Sequence, residues 1–135
     1  MTMSRTLTVC PFCGCGCRFY LVTEKDRVIG VEPSPTNPVN RGMLCVKGWN
    51  AYEFIHSGER LTVPLVRKGG NLTESTWEEA LSIVAGRLNA IRSVHGSNSL
   101  GFLSSAKVTN EENYLFMKMA RAAFGTNNVD HCARL

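Results

Sequence analysis

The spacing of five cysteines constrains this chain more than any other feature of its sequence. Cys10, Cys13 and Cys17 form a C-x2-C-x3-C pattern, and Cys45 follows after 27 intervening residues. A cubane [4Fe–4S] cluster requires four thiolates, one for each iron. We therefore expect Cys10, Cys13, Cys17 and Cys45 to be cluster ligands. Cys15 is surplus to this set of four. One residue separates it from a ligand on either side, so we expect its side chain to point away from the cluster.

The same segment contains two glycines, and its cysteines also have to be weighed as ligands of zinc. Gly14 and Gly16 permit unusual backbone angles and let N–H groups approach the sulfur atoms. Such donors would offset the negative charge of a cluster and raise its reduction potential. A structural zinc site also takes four cysteines, usually as two C-x2-C pairs. The second pair is missing here, which favours iron–sulfur. A four-cysteine zinc-binding interaction module remains the alternative from another class of function.

Composition and charge exclude several classes of protein. The 135 residues are 44% hydrophobic and 19% charged, as in ordinary globular domains. The net charge of +4 comes from scattered Lys and Arg residues, so we expect no nucleic-acid partner. The stretch before Cys10 is too short for a signal peptide, and no apolar run reaches the length of a membrane span. We therefore expect a cytoplasmic location, where reducing conditions favour metal or redox roles for six cysteines.

The first half of the chain predicts a small β-rich domain. Apolar and aromatic runs predict strands at residues 6–9, 18–22 and 28–31, with a turn at 24–26. Three prolines make residues 33–42 an irregular loop that leads to Cys45. A short helix is expected at about residues 49–55. We place the domain boundary between residues 58 and 72, which gives domains of residues 1–60 and 61–135.

The second half predicts alternating helices and strands. Thr76 with Glu79, and Thr109 with Glu112, are typical of capping boxes at two helix starts. Gly96 and Gly125 are placed to end these helices. Apolar residues recur at helical spacing after the first box, at Trp77, Ala80, Leu81, Val84, Leu88 and Ile91, and after the second, at Leu115, Phe116, Met119, Ala120, Ala123 and Phe124. Strands are expected at residues 100–103 and 128–130. The predicted class is α+β/α/β: a small β-rich domain, then the incomplete start of a parallel-sheet domain.

Several segments together carry a resemblance to a known family. The C-x2-C-x3-C pattern with residues 44–48 (LCVKG) resembles the cluster-binding segment of the molybdopterin oxidoreductases. The similarity continues through residues 76–80 (TWEEA), 110–114 (NEENY) and 125–135 (GTNNVDHCARL). It thus covers nearly the whole chain, and the last segment is most similar to formate dehydrogenases. Nitrate reductases and the large subunit of bacterial NADH:quinone oxidoreductase are the alternatives within the family.

Two lysines are candidate site residues. The resemblance implies that Lys47, two residues after the fourth cysteine, lies between cluster and pterin, binds both anionic groups and eases electron transfer. Lys107 follows a predicted parallel strand, and ligands commonly bind at the carboxyl ends of such strands. A contact between Lys107 and the pterin dinucleotide is therefore expected, with a solvent-exposed lysine as the alternative. His56, His95 and His131 have no partners at recognisable ligand spacing, and we expect structural or exposed roles.

The resemblance also implies an activity, cofactors and partners. They are the reversible oxidation of formate to CO2, one [4Fe–4S] cluster, and bis-molybdopterin guanine dinucleotide with molybdenum or tungsten. Electrons would pass by Lys47 to the cluster and on to iron–sulfur subunits that partner the catalytic subunit. The family's selenocysteine or cysteine metal ligand would follow Leu135, four residues after Cys132. We expect the reading frame to close at an in-frame UGA codon, or else at a chosen expression boundary, and expect these 135 residues alone to be inactive.

Overall fold

The computed structural model describes residues 3–132, which fall into two compact units. The described part of the first unit comprises residues 3–60, 105–115 and 131–132. The second unit comprises Leu61–Ser104 and Phe116–Asp130. The architecture is α+β, which confirms the predicted fold class. No helix within residues 3–132 has the length and apolar character needed to cross a membrane.

A three-stranded antiparallel sheet forms the frame of the first unit. Its strands are β1 (Met3–Val9), β2 (Arg18–Glu24) and β3 (Arg27–Pro33), in that order. A tight turn joins β2 to β3 through Lys25 and Asp26, whose φ angles of 48° and 63° match the left-handed pair of a two-residue hairpin. All three predicted strands are present and are longer than expected. The β1–β2 connection carries the first four cysteines.

The predicted short helix of the first unit was wrong in its bounds. The chain forms α1 (Val46–Trp49), then a separate 3-10 turn at Glu53–His56. The Asn50 side chain donates to the Val46 carbonyl oxygen at 2.8 Å and shares this acceptor with the Asn50 backbone N–H, which donates at 3.2 Å. Asparagine ends helices in this way, which explains why α1 stops at Trp49.

The small core of the first unit contains Phe19 and Ala51, which pack with Cys10.

The second unit begins with a hairpin and a long helix. Strands β4 (Leu65–Lys68) and β5 (Asn71–Glu74) are antiparallel and are joined by a turn at Gly69 and Gly70; β5 was not predicted. Helix α2 (Trp77–His95) starts where the first capping box places it and ends before Gly96. Only half of that box forms. The Thr76 hydroxyl accepts from the Glu79 N–H at 3.2 Å, but the Glu79 carboxylate binds the side chains of Ser75 and Lys68.

The predicted β-α-β succession is present after α2. Strand β6 (Phe102–Ser105), helix α3 (Asn110–Ala122) and strand β7 (Val129–Cys132) follow in order, and β6 and β7 are neighbouring parallel strands. Both strands lie about two residues later than predicted. The core of the second unit consists of four buried residues, with Leu88, Phe116 and Val129 against them: Leu100, Phe102, Ala120 and Phe124. In the described structure Trp77, Leu81 and Val84 of the α2 stripe stay more than half exposed.

Candidate metal centre

The segment from Cys10 to Cys17, here called the cysteine loop, joins two paired strands. Because Val9 pairs with Arg18, the residues that follow β1 and precede β2 are brought side by side. The Cys10 N–H donates to the Cys17 carbonyl oxygen at 2.8 Å and closes the base of the loop. The hairpin thereby fixes the backbone of its first and last cysteines. Cys10 is buried, Cys13 and Cys17 are half-buried, and Cys15 is exposed.

Cys45 lies at the start of α1, where free backbone N–H groups are available. The N–H of Gly48, with smaller contributions from the N–H and ammonium of Lys47, lowers the pKa of the Cys45 thiol. A helix start favours an anion in this way. The absence of a side chain at Gly48 also matters, because a Cβ there would lie 3.2 Å from a Leu44 methyl carbon. The turn therefore depends on the Cys-x-x-Gly spacing.

The thiols of this unit act on one another electrostatically. Burial raises the pKa of the Cys10 thiol, and the nearby charges of Cys13 and Cys45 raise it further. The N–H of Phe12 and the Lys47 ammonium oppose that rise. All four predicted ligands are thus close enough, together with Lys47, to influence Cys10 or Cys17, although they are up to 37 positions apart in the chain. Crowded thiolates can be stabilised by positively charged metal ions that they bind together.

The Cys15 thiol contacts one of the predicted ligands. Burial, followed by a hydrogen bond with the Cys15 thiol, raises the pKa of Cys17 to about 11. Our expectation that the Cys15 side chain points away from the cluster stays a prediction. Whether Cys15 ligates the metal group is a separate question, and its exclusion stays a prediction.

The donor set has the chemistry that a [4Fe–4S] cluster needs. Among residues 3–132, no group of three or more His, Cys, Asp or Glu side chains converges to hold one metal ion. A tetrahedral zinc site with Zn–S bonds of about 2.3 Å needs sulfur atoms about 3.8 Å apart. A cubane places each thiolate on a different iron, so its ligands surround a larger volume. Four free thiols, each acting electrostatically on Cys10 or Cys17 or lying at one of these two positions, supply the donors that a cluster requires.

Asparagine side chains brace the backbone around the cysteine loop, a role that was not predicted. Asn37 and Asn40 are only 5% and 6% exposed. The Asn37 amide donates to the Gly16 carbonyl oxygen at 3.2 Å. Asn40 both accepts from the Arg18 N–H at 3.1 Å and donates to the Arg18 carbonyl oxygen at 3.2 Å. The available signal was asparagine within a proline-rich loop, a residue that readily bonds nearby backbone.

A third asparagine comes from the first residue of α3. The Asn110 amide donates to the Gly14 carbonyl oxygen at 2.9 Å across 96 positions of sequence. The second predicted capping box holds this helix start in place. The Thr109 N–H donates to the Glu112 carboxylate at 2.7 Å, and the Glu112 N–H donates to the Thr109 hydroxyl at 3.3 Å. That box is complete, in contrast to the one at α2.

The remaining candidate residues lie outside this arrangement of thiols. Lys107 is in the turn after β6, as expected, and its N–H donates to the Ser105 hydroxyl at 2.9 Å. Its contact with a pterin stays a prediction. His56 has a structural role, since its Nε2 atom accepts from the Val28 N–H at 3.0 Å. Residues 133–135, the end of the segment that resembles formate dehydrogenases, lie outside the described residues.

Comparisons with known proteins agree with this geometry. Residues 3–57 match the family model of the molybdopterin oxidoreductase Fe4S4 domain, and residues 60–135 match that of molybdopterin oxidoreductase. The cofactors of these two domains are a [4Fe–4S] cluster and molybdopterin.

Similar proteins cover nearly all of this chain. A protein of Bacillus subtilis (strain 168), provisionally named a formate dehydrogenase, is 50% identical over 130 residues, which are 96% of this chain and 13% of that protein. The alpha subunit of an F420-dependent formate dehydrogenase from Methanocaldococcus jannaschii is 48% identical over 128 residues, 95% of this chain and 18% of that subunit. The alpha subunit of F420-dependent formate dehydrogenase 1 from Methanococcus maripaludis is 47% identical over 128 residues, with the same coverage of 95% and 18%.

The chain therefore spans between 13% and 18% of the length of these relatives. Two adjoining family matches, over residues that hold the thiol pattern and the β-α-β unit, confirm the resemblance found in the sequence. This chain belongs to the molybdopterin oxidoreductase family.

Proposed function

We propose that this chain supplies the [4Fe–4S]-binding domain, residues 1–60, and the first part of the molybdopterin-binding domain, residues 61–135, of a formate dehydrogenase. The observation that carries the proposal is the closure of the cysteine loop by the Cys10–Cys17 backbone hydrogen bond, with Cys13, Cys45 and Lys47 close to Cys10. The names of the relatives favour formate over nitrate or NADH as the substrate class. The complete enzyme would convert formate to CO2 reversibly at molybdenum or tungsten.

Each candidate residue has a defined role in the proposal. Cys10, Cys13, Cys17 and Cys45 would each bind one iron, and the bound cluster would supply one-electron transfer. The Lys47 ammonium, one residue into α1, would bind the anionic groups on either side of it. Lys107 would contact the pterin dinucleotide. Iron–sulfur electron-transfer subunits would be the partners, in the cytoplasm.

The ligand set can be tested on the full chain by anaerobic reconstitution with iron and sulfide. We expect brown protein with about four irons and four sulfides per chain, which bleaches with dithionite. Cys10→Ser, Cys13→Ser, Cys17→Ser and Cys45→Ser should each lower the iron content, whereas Cys15→Ser and Cys132→Ser are the matched controls. Colourless protein that takes up one zinc would contradict the proposal and support the zinc module.

The activity of the whole protein is tested in the source cells. Cys45→Ser in the chromosomal gene should abolish formate-dependent reduction of benzyl viologen in extracts. Cys15→Ser in the same gene is the control and should leave that reduction close to the unmodified level. If formate-dependent reduction persists with Cys45→Ser while nitrate-dependent oxidation of reduced viologen is lost, the enzyme is a nitrate reductase.

A further inference from the structure

The cysteine loop is held by its carbonyl oxygens at alternate residues. The Asn110 amide holds the oxygen of Gly14, and the Asn37 amide holds that of Gly16. Both contacts lie within the first unit. One asparagine comes from the loop that follows β3 and the other from the start of α3. Two separate segments of the chain therefore bind the carbonyl groups of Gly14 and Gly16 in the same loop.

These contacts have fixed orientations. The Oδ1 atom of Asn37 accepts from the Val39 N–H at 2.9 Å, so its Nδ2 atom must face the Gly16 carbonyl. Gly16 has a φ of +76°, a left-handed angle that few other residues adopt readily. A Cβ on Gly14 would lie 2.9 Å from the Asn110 Cγ atom and closer still to its Oδ1 atom. Glycine at position 14 is what allows this close approach.

Holding a carbonyl oxygen also sets the direction of the next N–H. A trans peptide is planar, and its C=O and N–H groups point in opposite directions. The chain has no cis peptide among its described residues. The bond from Asn110 therefore turns the Cys15 N–H away from Asn110, and the bond from Asn37 turns the Cys17 N–H away from Asn37.

We propose that Asn37 and Asn110 are positioning residues that aim the N–H groups of Cys17 and Cys15 at the cluster and so set its reduction potential. This inference rests on the proposed function, because it needs a cluster in the loop. N–H groups aimed at cluster sulfur stabilise the more negative, reduced state. Release of either carbonyl lets its peptide rotate, weakens that stabilisation and lowers the potential.

The test compares two neutral variants of the reconstituted full chain. Asn110→Ala removes the donor to Gly14 at an exposed helix position, where alanine is well tolerated. Asn37→Ser keeps a hydroxyl that can accept from the Val39 N–H but cannot reach the Gly16 carbonyl. Asn128→Ala is the matched control, because Asn128 in the second unit also donates to backbone carbonyls, those of Asn98 and Leu100.

The readout is an anaerobic redox titration followed by electron paramagnetic resonance. We expect both test variants to retain the cluster and to lower its reduction equilibrium constant at least threefold, a shift of about 28 mV for one electron. Deuterium exchange should also show fewer exchangeable amide protons coupled to the cluster. The Asn128→Ala control should keep the potential of the unmodified chain.

Four results would overturn the inference, and one of them concerns the proposed function. Unchanged potentials in both variants, or an equal shift in Asn128→Ala, would contradict tuning by these asparagines while leaving the cluster itself established. Loss of the cluster in Asn110→Ala alone would make that residue a requirement for ligation and not a determinant of potential. An unmodified chain that assembles no cluster would refute the proposed function, and this inference with it.

Discussion

Replacement of the buried Asn40 tests how strongly the cysteine loop is tied to the segment that delivers Cys45. The Asn40 side chain makes three hydrogen bonds: with the N–H and the carbonyl oxygen of Arg18, and with the Met43 carbonyl oxygen at 2.9 Å. Asn40→Ala removes all three. The Arg18 carbonyl keeps the Ser34 N–H at 3.2 Å as a donor. The Arg18 N–H and the Met43 carbonyl are the two groups that lose these bonds without that compensation.

The magnitude follows from those two groups. Each buried backbone group that loses its partner costs about 1–3 kcal/mol. Arg18 is exposed at its side chain, so water reaches part of this region and the lower half of the range applies. We therefore expect Asn40→Ala to lower the free energy of unfolding of the first unit by about 2–4 kcal/mol. That is a large share of the stability of an ordinary domain.

The assay is urea unfolding of the metal-free full chain under reducing conditions, in a Trp77→Phe background. Trp49 then reports on the first unit alone, since it is the other of the two tryptophans. Asn50→Ala is the control: it removes one exposed hydrogen bond to Val46 and should cost at most about 1 kcal/mol. Equal unfolding midpoints for Asn40→Ala and Asn50→Ala, with unchanged slopes, would refute the reasoning.

Three smaller predictions concern other contacts of the two units. Phe19→Ala empties a side-chain site that is 1% exposed, and should lower the unfolding free energy by about 3–5 kcal/mol in the same urea assay. Thr109→Ala breaks the complete capping box with Glu112 and should cost about 1 kcal/mol, measured the same way with Thr109→Ser as the control. The Lys68 side chain lowers the pKa of Glu79, so this pair stabilises the fold above the unfolded pKa of Glu79 and is lost as pH falls through the lower folded value. The thermal midpoint should therefore fall as the pH is lowered, and Lys68→Met should reduce this fall. A pH profile identical to that of the unmodified chain would contradict the prediction.

Local patterns in the sequence predicted most of the framework. Apolar and aromatic runs marked the strands on both sides of the cysteine loop, and helical spacing marked α2 and α3. The turn at Lys25 and Asp26 and the helix end at Gly96 were also visible, because each depends on the residues at the turn itself. In these turns and helices, the hydrogen bonds join residues that are only a few positions apart in the sequence.

Long-range partners are where sequence reasoning failed. The Glu79 carboxylate was expected to cap its own helix, but Lys68 from the preceding hairpin competes for it with a contact of 2.6 Å. An exposed ion pair and a local cap differ by only a few tenths of a kcal/mol, so propensity alone cannot choose between them. Strand β5 was missed because its residues are all exposed and carry no apolar alternation.

The ligands and their braces differ in how much chemistry restricts them. Thiolate is the usual protein ligand of cluster iron, and the close spacing of three cysteines in one loop makes that requirement visible in the sequence. A carbonyl oxygen accepts equally from an asparagine, a hydroxyl, a lysine or another backbone N–H. The brace on Gly14 could therefore have come from many residue types and from any segment, and in this chain it comes from Asn110, 96 positions away. The ligands of a cluster site can for this reason be predicted from sequence, whereas the contacts that fix its potential cannot, because only the folded chain brings them together.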